Sequence, residues 1–264
     1  MNSTEQDIQS AMNPGFTSWE SDGNYLPEIK GQVMIVVRTA QVHLNEVLEL
    51  KKFLTVYEVE KSQRFRFNKD RVSYIVVHGL LRLMLGRYLG ISPKEVRMVY
   101  NSYGKPAVSG YSRNVCFNMT SRDGVSVLAF DPENEIGVDV ERLDEAFEFE
   151  SIVKHFFSAK EIQYIFQPEA DSRQRFYHIW TRKEAYLKAI GTGITESLRT
   201  EVLDEIMNDI RLIGNGRRPG TFTFRSILFE QDFLITLAIK TVSEPIQAYY
   251  LRNFRTGLLE KNEA

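Results

Sequence analysis

Two stretches of this chain, Gly137-Val-Asp-Val-Glu141 and Trp180-Thr-Arg-Lys-Glu-Ala-Tyr-Leu-Lys188, combine residue types and spacing that could do chemistry. On a strand, residues two apart share a face. Ile136, Val138 and Val140 would then point one way, and Gly137, Asp139 and Glu141 the other. The two carboxylates would stand about 7 Å apart at the backbone, from a rise of about 3.3 Å per residue, close enough to converge on one hard cation. An antiparallel strand with one wet face would show the same alternation. In the second stretch the spacing predicts a helix whose apolar stripe is Phe176, Ile179, Trp180, Leu187 and Ile190. Lys183 falls within that stripe, where it must snorkel or meet an anion, because burying an unpaired charge is costly. Glu184 and Lys188 are four apart at the stripe's border, either a surface pair or part of a site. Three carboxylates near two lysines suit a divalent cation holding a phosphate or pyrophosphate.

These groups need elements to position them. Residues 1–30 mix Ser, Asn, Gly, Pro and acids and are expected to be a loosely ordered extension. Val33–Val37 reads as a first strand. From about Val42 to Leu89 the pattern is helical, with Val72, Ile75, Val76, Leu80, Leu83 and Met84 on one face and Asn68 or Asp70 as N-cap. Gly90 and Pro93 close that block. Val115–Met119 and Val125–Phe130 read as strands before the acidic strand. Ser158-Ala-Lys-Glu161 is a capping box, with Phe157 and Ile162 able to staple the entry. A longer helix runs from about Asp171 to Ile190 and stops at Gly191. Thr221–Leu228 and Phe233–Ile239 form an expected hairpin, and Ile246–Leu251 a last strand. The expected fold class is α+β, with a seam near Asp131–Asn134.

With 264 residues, 43% of them hydrophobic and 26% charged, the chain has the composition of a folded globular protein. A formal net charge of -2 argues against bulk attraction to nucleic acid or anionic membrane. Cys116 is the single cysteine, expected in the core, so intramolecular disulfides and zinc fingers are excluded. The polar, acidic N-terminus is unlike a secretory signal, and no apolar run approaches the roughly 20 residues that cross a bilayer. A reducing, cytoplasmic setting is expected. Gly104-Lys105-Pro106 is a turn that could also bring a lysine to a phosphate. The segment Lys61–Arg71 interleaves basic and aromatic residues, as a solvated helix end or a phosphate contact through Arg64 and Arg66.

In this order the motifs resemble the Sfp-type (surfactin-synthetase-type) 4′-phosphopantetheinyl transferases. That family carries Gly-Lys-Pro, then Phe-Asn-hydrophobic-Ser-His, Gly-hydrophobic-Asp-hydrophobic-Glu, Phe-Phe-Ser-x-x-Glu, and Trp-x-x-Lys-Glu-x-x-x-Lys. Here they stand as Gly104–Pro106, Phe117–Ser121, Gly137–Glu141, Phe156–Glu161 and Trp180–Lys188. The resemblance covers roughly residues 55 to 240. It implies a pseudo-dimer of two similar α+β subdomains with coenzyme A in the cleft between them. The corresponding divisions are 1–30 as extension, 31–132 as the N-terminal subdomain and 133–264 as the C-terminal subdomain with the metal site.

By the same resemblance, Asp139, Glu141 and Glu184 would coordinate Mg2+ on the pyrophosphate of coenzyme A. Lys188 and Lys183 would contact that pyrophosphate, and Lys105 the nucleotide's phosphates. Arg64, Asn118, Thr120 and Ser121 would contribute further coenzyme contacts. Glu184 would act as general base on a serine of an acyl or peptidyl carrier protein, with Lys188 stabilising the leaving 3′,5′-ADP. Partners would be that carrier and coenzyme A, with no nucleic acid and no membrane, and the chain a monomer with pseudo-twofold symmetry. One departure stands out: Thr120-Ser121, followed by Arg122, replaces the family's Ser-His, and Ser73 stands near a usual arginine. That departure favours the alternative of a non-transferring relative that binds a carrier or nucleotide. The complete Asp139, Glu141, Glu184 and Lys188 set favours the enzyme.

Overall fold

The computed structural model describes residues 16–20, 26–168, 171–193, 209–211, 221–240 and 246–251. These residues form two compact units. The first holds the described residues from Phe16 to Tyr100, Pro106–Glu133 and the last described strand; the second holds Asn101–Lys105 and the described residues from Asn134 to Lys240.

In the first unit a five-stranded sheet has the order β1-β11-β2-β6-β5. Its strands are β1 (Phe16–Glu20), β2 (Val33–Arg38), β5 (Cys116–Arg122), β6 (Val125–Asp131) and β11 (Ile246–Leu251). Asp123 and Gly124, both at positive φ, make the tight turn between β5 and β6. Such a pair matches the twist of a two-residue hairpin. The expected loose extension is corrected in two places. Phe16–Glu20 form a strand because β11 offers a parallel edge. Leu26 and Ile29 are buried in the unit's core, which apolar side chains prefer to a surface drape. The rest of the extension lies outside the described residues. The last strand, expected within the 133–264 subdomain, instead pairs in parallel with β2, whose other edge is taken by β6. Cys116 is half-buried rather than core, since it opens β5 while its neighbour Phe117 turns inward.

The single helical block expected from 42 to 89 is three helices: α1 (Leu44–Lys51), α2 (Val56–Gln63) and α3 (Asn68–Leu89). Phe67, not Asn68 or Asp70, is the N-cap of α3, and Gly90 ends it in the left-handed conformation. By length and composition alone α3 is long and apolar enough to cross a bilayer, although Arg82 interrupts its apolar run. Its Ile75, Val76, Leu80, Leu81 and Met84 are buried in the first core. Gly79 lets it close on α1, where a Cβ would meet the Leu50 carbonyl oxygen at 2.7 Å.

Arg82 on α3 is 4% exposed and donates from Nε to Glu58 Oε2 at 2.6 Å, and from Nη1 to the carbonyls of Pro93 and Val96. Burial pushes the Glu58 carboxyl up, but hydrogen bonds from Arg82 and Thr55 outweigh it and hold the group below the ordinary glutamate value. The pair's stabilisation is therefore complete above that ordinary value and is lost as pH falls through the lowered one. Arg82→Met should destabilise the protein by about 3–5 kcal/mol, because it strands a buried carboxylate. Urea unfolding of Arg82→Met and of Arg82→Met/Glu58→Gln checks this, the double variant being expected to lose less.

In the second unit a four-stranded sheet has the order β7-β10-β9-β8. Its strands are β7 (Ile136–Arg142), β8 (Asp209–Arg211), β9 (Thr221–Phe229) and β10 (Phe233–Ile239). The β9–β10 hairpin turns at Glu230 and Gln231, both at positive φ. Three helices follow the acidic strand: α4 (Glu150–Phe156), α5 (Ala159–Ile165) and α6 (Ser172–Ile190). The expected capping box is present on α5: Ser158 Oγ accepts from Glu161 N and Glu161 Oε2 from Ser158 N. Phe149, Phe157, Phe176 and Ile179 build this unit's core. A separate short hairpin in the first unit joins β3 (Met98–Tyr100) to β4 (Pro106–Val108).

Candidate active site

The site is built on the packing of α6 over the polar row of β7. Asp171 caps α6 by accepting from Arg173 N and Gln174 N, and Gly191 ends it at φ 70. Gly137 is where helix and strand touch. A Cβ there would lie 2.0 Å from the Ala185 carbonyl oxygen and 2.4 Å from Ala189 N. From that contact the two elements run in opposite senses, so successive outward residues of β7 meet successive turns of α6. Lys188 Nζ reaches Asp139 Oδ1 at 2.6 Å, and Trp180 Nε1 donates to Glu141 Oε1 at 3.3 Å. The acidic row is thus covered by the helix rather than wet, and Asp139 is only 4% exposed.

Glu184 lies on the same face of α6, one turn from both Trp180 and Lys188. Burial pushes its carboxyl from the ordinary 4.5 up to about 7; Asp139 and Glu141 add repulsion, while Lys188 pulls the other way. Asp139 Oδ2 and Glu184 Oε1 are buried with no hydrogen-bond partner among the described residues. Unsatisfied buried oxygens are costly in a native fold and call for an unseen partner. Two such carboxylate oxygens suit a hard cation such as Mg2+. Among the described residues, however, no three His, Cys, Asp or Glu side chains are gathered closely enough to form a ready metal site.

Two lysines expected at phosphates have partners within the protein itself. Lys183 is 1% exposed and pairs with Glu161 at 2.9 Å, so burial on the apolar stripe is met by an anion of the protein itself. Lys105 Nζ donates to the Ala189 carbonyl at the end of α6. Asn101 joins it there, donating to the Gly191 carbonyl at 2.8 Å and accepting from Lys105 N. The Gly-Lys-Pro turn therefore caps the helix that carries Glu184, with the lysine ammonium where the helix dipole is negative.

The remaining expected residues belong to the first unit, three of them on β5 and Arg64 at the end of α2. Arg64 is exposed and ends α2. Asn118 is buried on β5, and Thr120 is half-buried. Ser121 is exposed, with Oγ 2.8 Å from Ser126 Oγ, which in turn lies 3.3 Å from Ser73 Oγ. The two positions that depart from the family pattern are therefore joined through one buried hydroxyl.

Sequence reasoning gave no role to the indole of Trp180 or to Glu161 as the partner of Lys183. It also missed the chain Thr181–Thr236–Ser226, whose successive hydroxyl oxygens lie 2.8 Å apart and tie α6 to the sheet. For the close approach a signal existed: Gly137 opposite Ala185 and Ala189, small residues four apart on one helix face.

A buried carboxylate pair beside a lysine, on an α+β scaffold, is the kind of site that handles phosphate esters. The sequence model of the 4′-phosphopantetheinyl transferase superfamily matches residues 135–238, which span β7, α6 and the β9–β10 hairpin. The 4′-phosphopantetheinyl transferase HetI of Nostoc sp. is 32% identical over 161 residues, covering 60% of this chain and 68% of the relative. A phosphopantetheinyl transferase of Thraustochytrium sp. is 28% identical over 201 residues, 69% of each chain. The 4′-phosphopantetheinyl transferase ffp of Bacillus subtilis is 27% identical over 151 residues, 57% of this chain and 66% of the relative. The chain belongs to the 4′-phosphopantetheinyl transferase superfamily.

Proposed function

We propose that this chain transfers the 4′-phosphopantetheine group of coenzyme A to a serine of an acyl or peptidyl carrier protein in the presence of Mg2+. Beyond family membership, the observation that carries this reading is the pair of orphaned carboxylate oxygens on Asp139 and Glu184 beside Lys188. Asp139, Glu184 and Glu141 would hold the ion, which when bound neutralises charge on the pyrophosphate. Glu184 takes the proton of the carrier serine, whose oxygen attacks the phosphorus that bears pantetheine. The bond to 3′,5′-ADP breaks, and Lys188 meets the charge that develops on the leaving oxygen. The nucleophile comes from the carrier, so the protein needs only to position and neutralise. Asn118, Thr120, Ser121 and Arg64 are proposed as coenzyme contacts. Lys105 in that role would exchange the Ala189 carbonyl for a phosphate. The proposed working unit is one chain, in the cytoplasm.

Incubation with Mg2+, coenzyme A and a panel of apo carrier proteins, followed by intact-protein mass spectrometry, tests the reading. A phosphopantetheine mass on the carrier serine is expected; no shift with any carrier would sink it.

The Glu184 carboxyl also makes a prediction for the metal-free protein. Its pKa is raised by folding, so its contribution to stability is fully present below about 4.5 and is lost as pH rises through about 7. Thermal melts in chelator should show the melting temperature falling across that window, with Glu184→Gln flattening the fall. A Glu184→Gln profile parallel to the wild type would refute the assignment.

A further inference from the structure

We infer that Glu161 and Lys183 are positioning residues for transfer: their buried ion pair sets the rotation of α6 and so aims Glu184 and Lys188 at the reacting phosphate. The inference rests on the transferase reading of the site. Lys183 and Glu184 are consecutive on α6, and neighbours on a helix point about 100° apart, so holding one side chain fixes the direction of the next. Lys183 is held by a carboxylate and a ring. Its Nζ lies 2.9 Å from Glu161 Oε2 and 5.2 Å from the centre of the Phe157 ring. Both members of the pair are essentially without exposure, at 1% and 0%. Glu161 is itself fixed, because the same Oε2 accepts from the backbone N of Ser158 at 2.8 Å in the cap of α5. The ion pair thus ties α6 to the first turn of α5. Thr181, two residues earlier on α6, is tied to the sheet through Thr236.

Two features separate this role from the alternatives. Lys183 has almost no exposed surface with which to meet a coenzyme phosphate. Nor does stability explain the charges well, since well-packed apolar substitutes for a buried ion pair are often neutral or stabilising. What an ion pair adds is direction, and a hydrogen-bonded pair fixes a helix rotation that packing alone leaves softer.

The test compares kcat and KM for coenzyme A in the wild type, Lys183→Met, Glu161→Gln and Lys183→Met/Glu161→Gln. Either single variant leaves one charge buried and can fail to fold. The double variant removes both, and its new carboxamide oxygen can still accept from Ser158 N. Positioning predicts that in the double variant kcat falls about 30-fold or more, the scale expected for misplacement by a fraction of an ångström, while KM for coenzyme A stays within about twofold. A KM rise of about tenfold or more would make Lys183 a coenzyme contact and overturn the inference. Wild-type kcat and KM in the double variant would overturn it equally.

Should the wild type transfer nothing to any carrier, the transferase reading fails on its own, and the pair is decided by fluorescence. Trp19 and Trp180 are the two tryptophans, so in a Trp19→Phe background Trp180 alone reports how α6 sits against Glu141. Positioning predicts a shifted Trp180 emission in the double variant, and an unchanged emission would overturn it.

Discussion

Asp139→Ala is expected to reduce phosphopantetheine transfer by about 10³-fold or more while leaving the fold intact, the scale of losing one preorganised charge at a phosphoryl-transfer centre. The retained fold follows from the contacts of Asp139 within the protein. One oxygen pairs with Lys188, whose side chain is 30% exposed and can turn to water when its partner goes. The other oxygen is buried without a hydrogen bond among the described residues. Removing an unsatisfied buried oxygen relieves a cost, so the melting temperature of the metal-free variant should equal or exceed that of the wild type. The change also removes a negative neighbour from Glu184, so its carboxyl should titrate lower than about 7. A carrier mass-shift time course, with circular-dichroism melts on the same samples, decides the case. A large drop in melting temperature would make Asp139 a structural carboxylate and withdraw it from the chemistry.

Much of this site was legible in the sequence because its two elements obey strong local rules. The alternation of Ile136 to Glu141 fixes which residues share a face of β7, and the cap pair Asp171 and Gly191 bounds α6 to within a residue. Periodicity says nothing about what covers a face. The row of Asp139 and Glu141 reads equally as wet or buried until α6 is seen lying over it. Lys183 shows the same limit. Its place on an apolar stripe demanded an anion, but a coenzyme phosphate and Glu161 satisfy that demand alike, and only tertiary packing chooses between them. In Lys105 the lesson is different, because a turn lysine and a helix-capping lysine have one sequence signature. Strand β11 was found by its pattern and misplaced by its position, since a strand's partner is set by which edge is open.

Gly137→Ala is expected to be the most damaging conservative change in the second unit. An added Cβ would stand 2.0 Å from the Ala185 carbonyl oxygen and 2.4 Å from Ala189 N, far inside contact distance. Both are backbone atoms of a continuous helix, so no side-chain rotation can make room, and α6 as a whole would have to lift from β7. That helix is held by the Thr181–Thr236 hydrogen bond, the Lys183–Glu161 pair and the Asn101 and Lys105 caps, all of which resist the lift. Overpacking of this kind should cost about 3 kcal/mol or more. Where the variant still folds, the lift should part Lys188 from Asp139 and Trp180 from Glu141, so transfer should fall even at temperatures where the protein is native. Ala185→Gly is the informative comparison. It adds no atom at the contact and should cost only about 1 kcal/mol of helix propensity, without the same loss of transfer per folded molecule. Urea unfolding with activity normalised to folded protein separates the two terms. If Gly137→Ala matched the wild type in both, the close approach of α6 to β7 would not be what assembles the site.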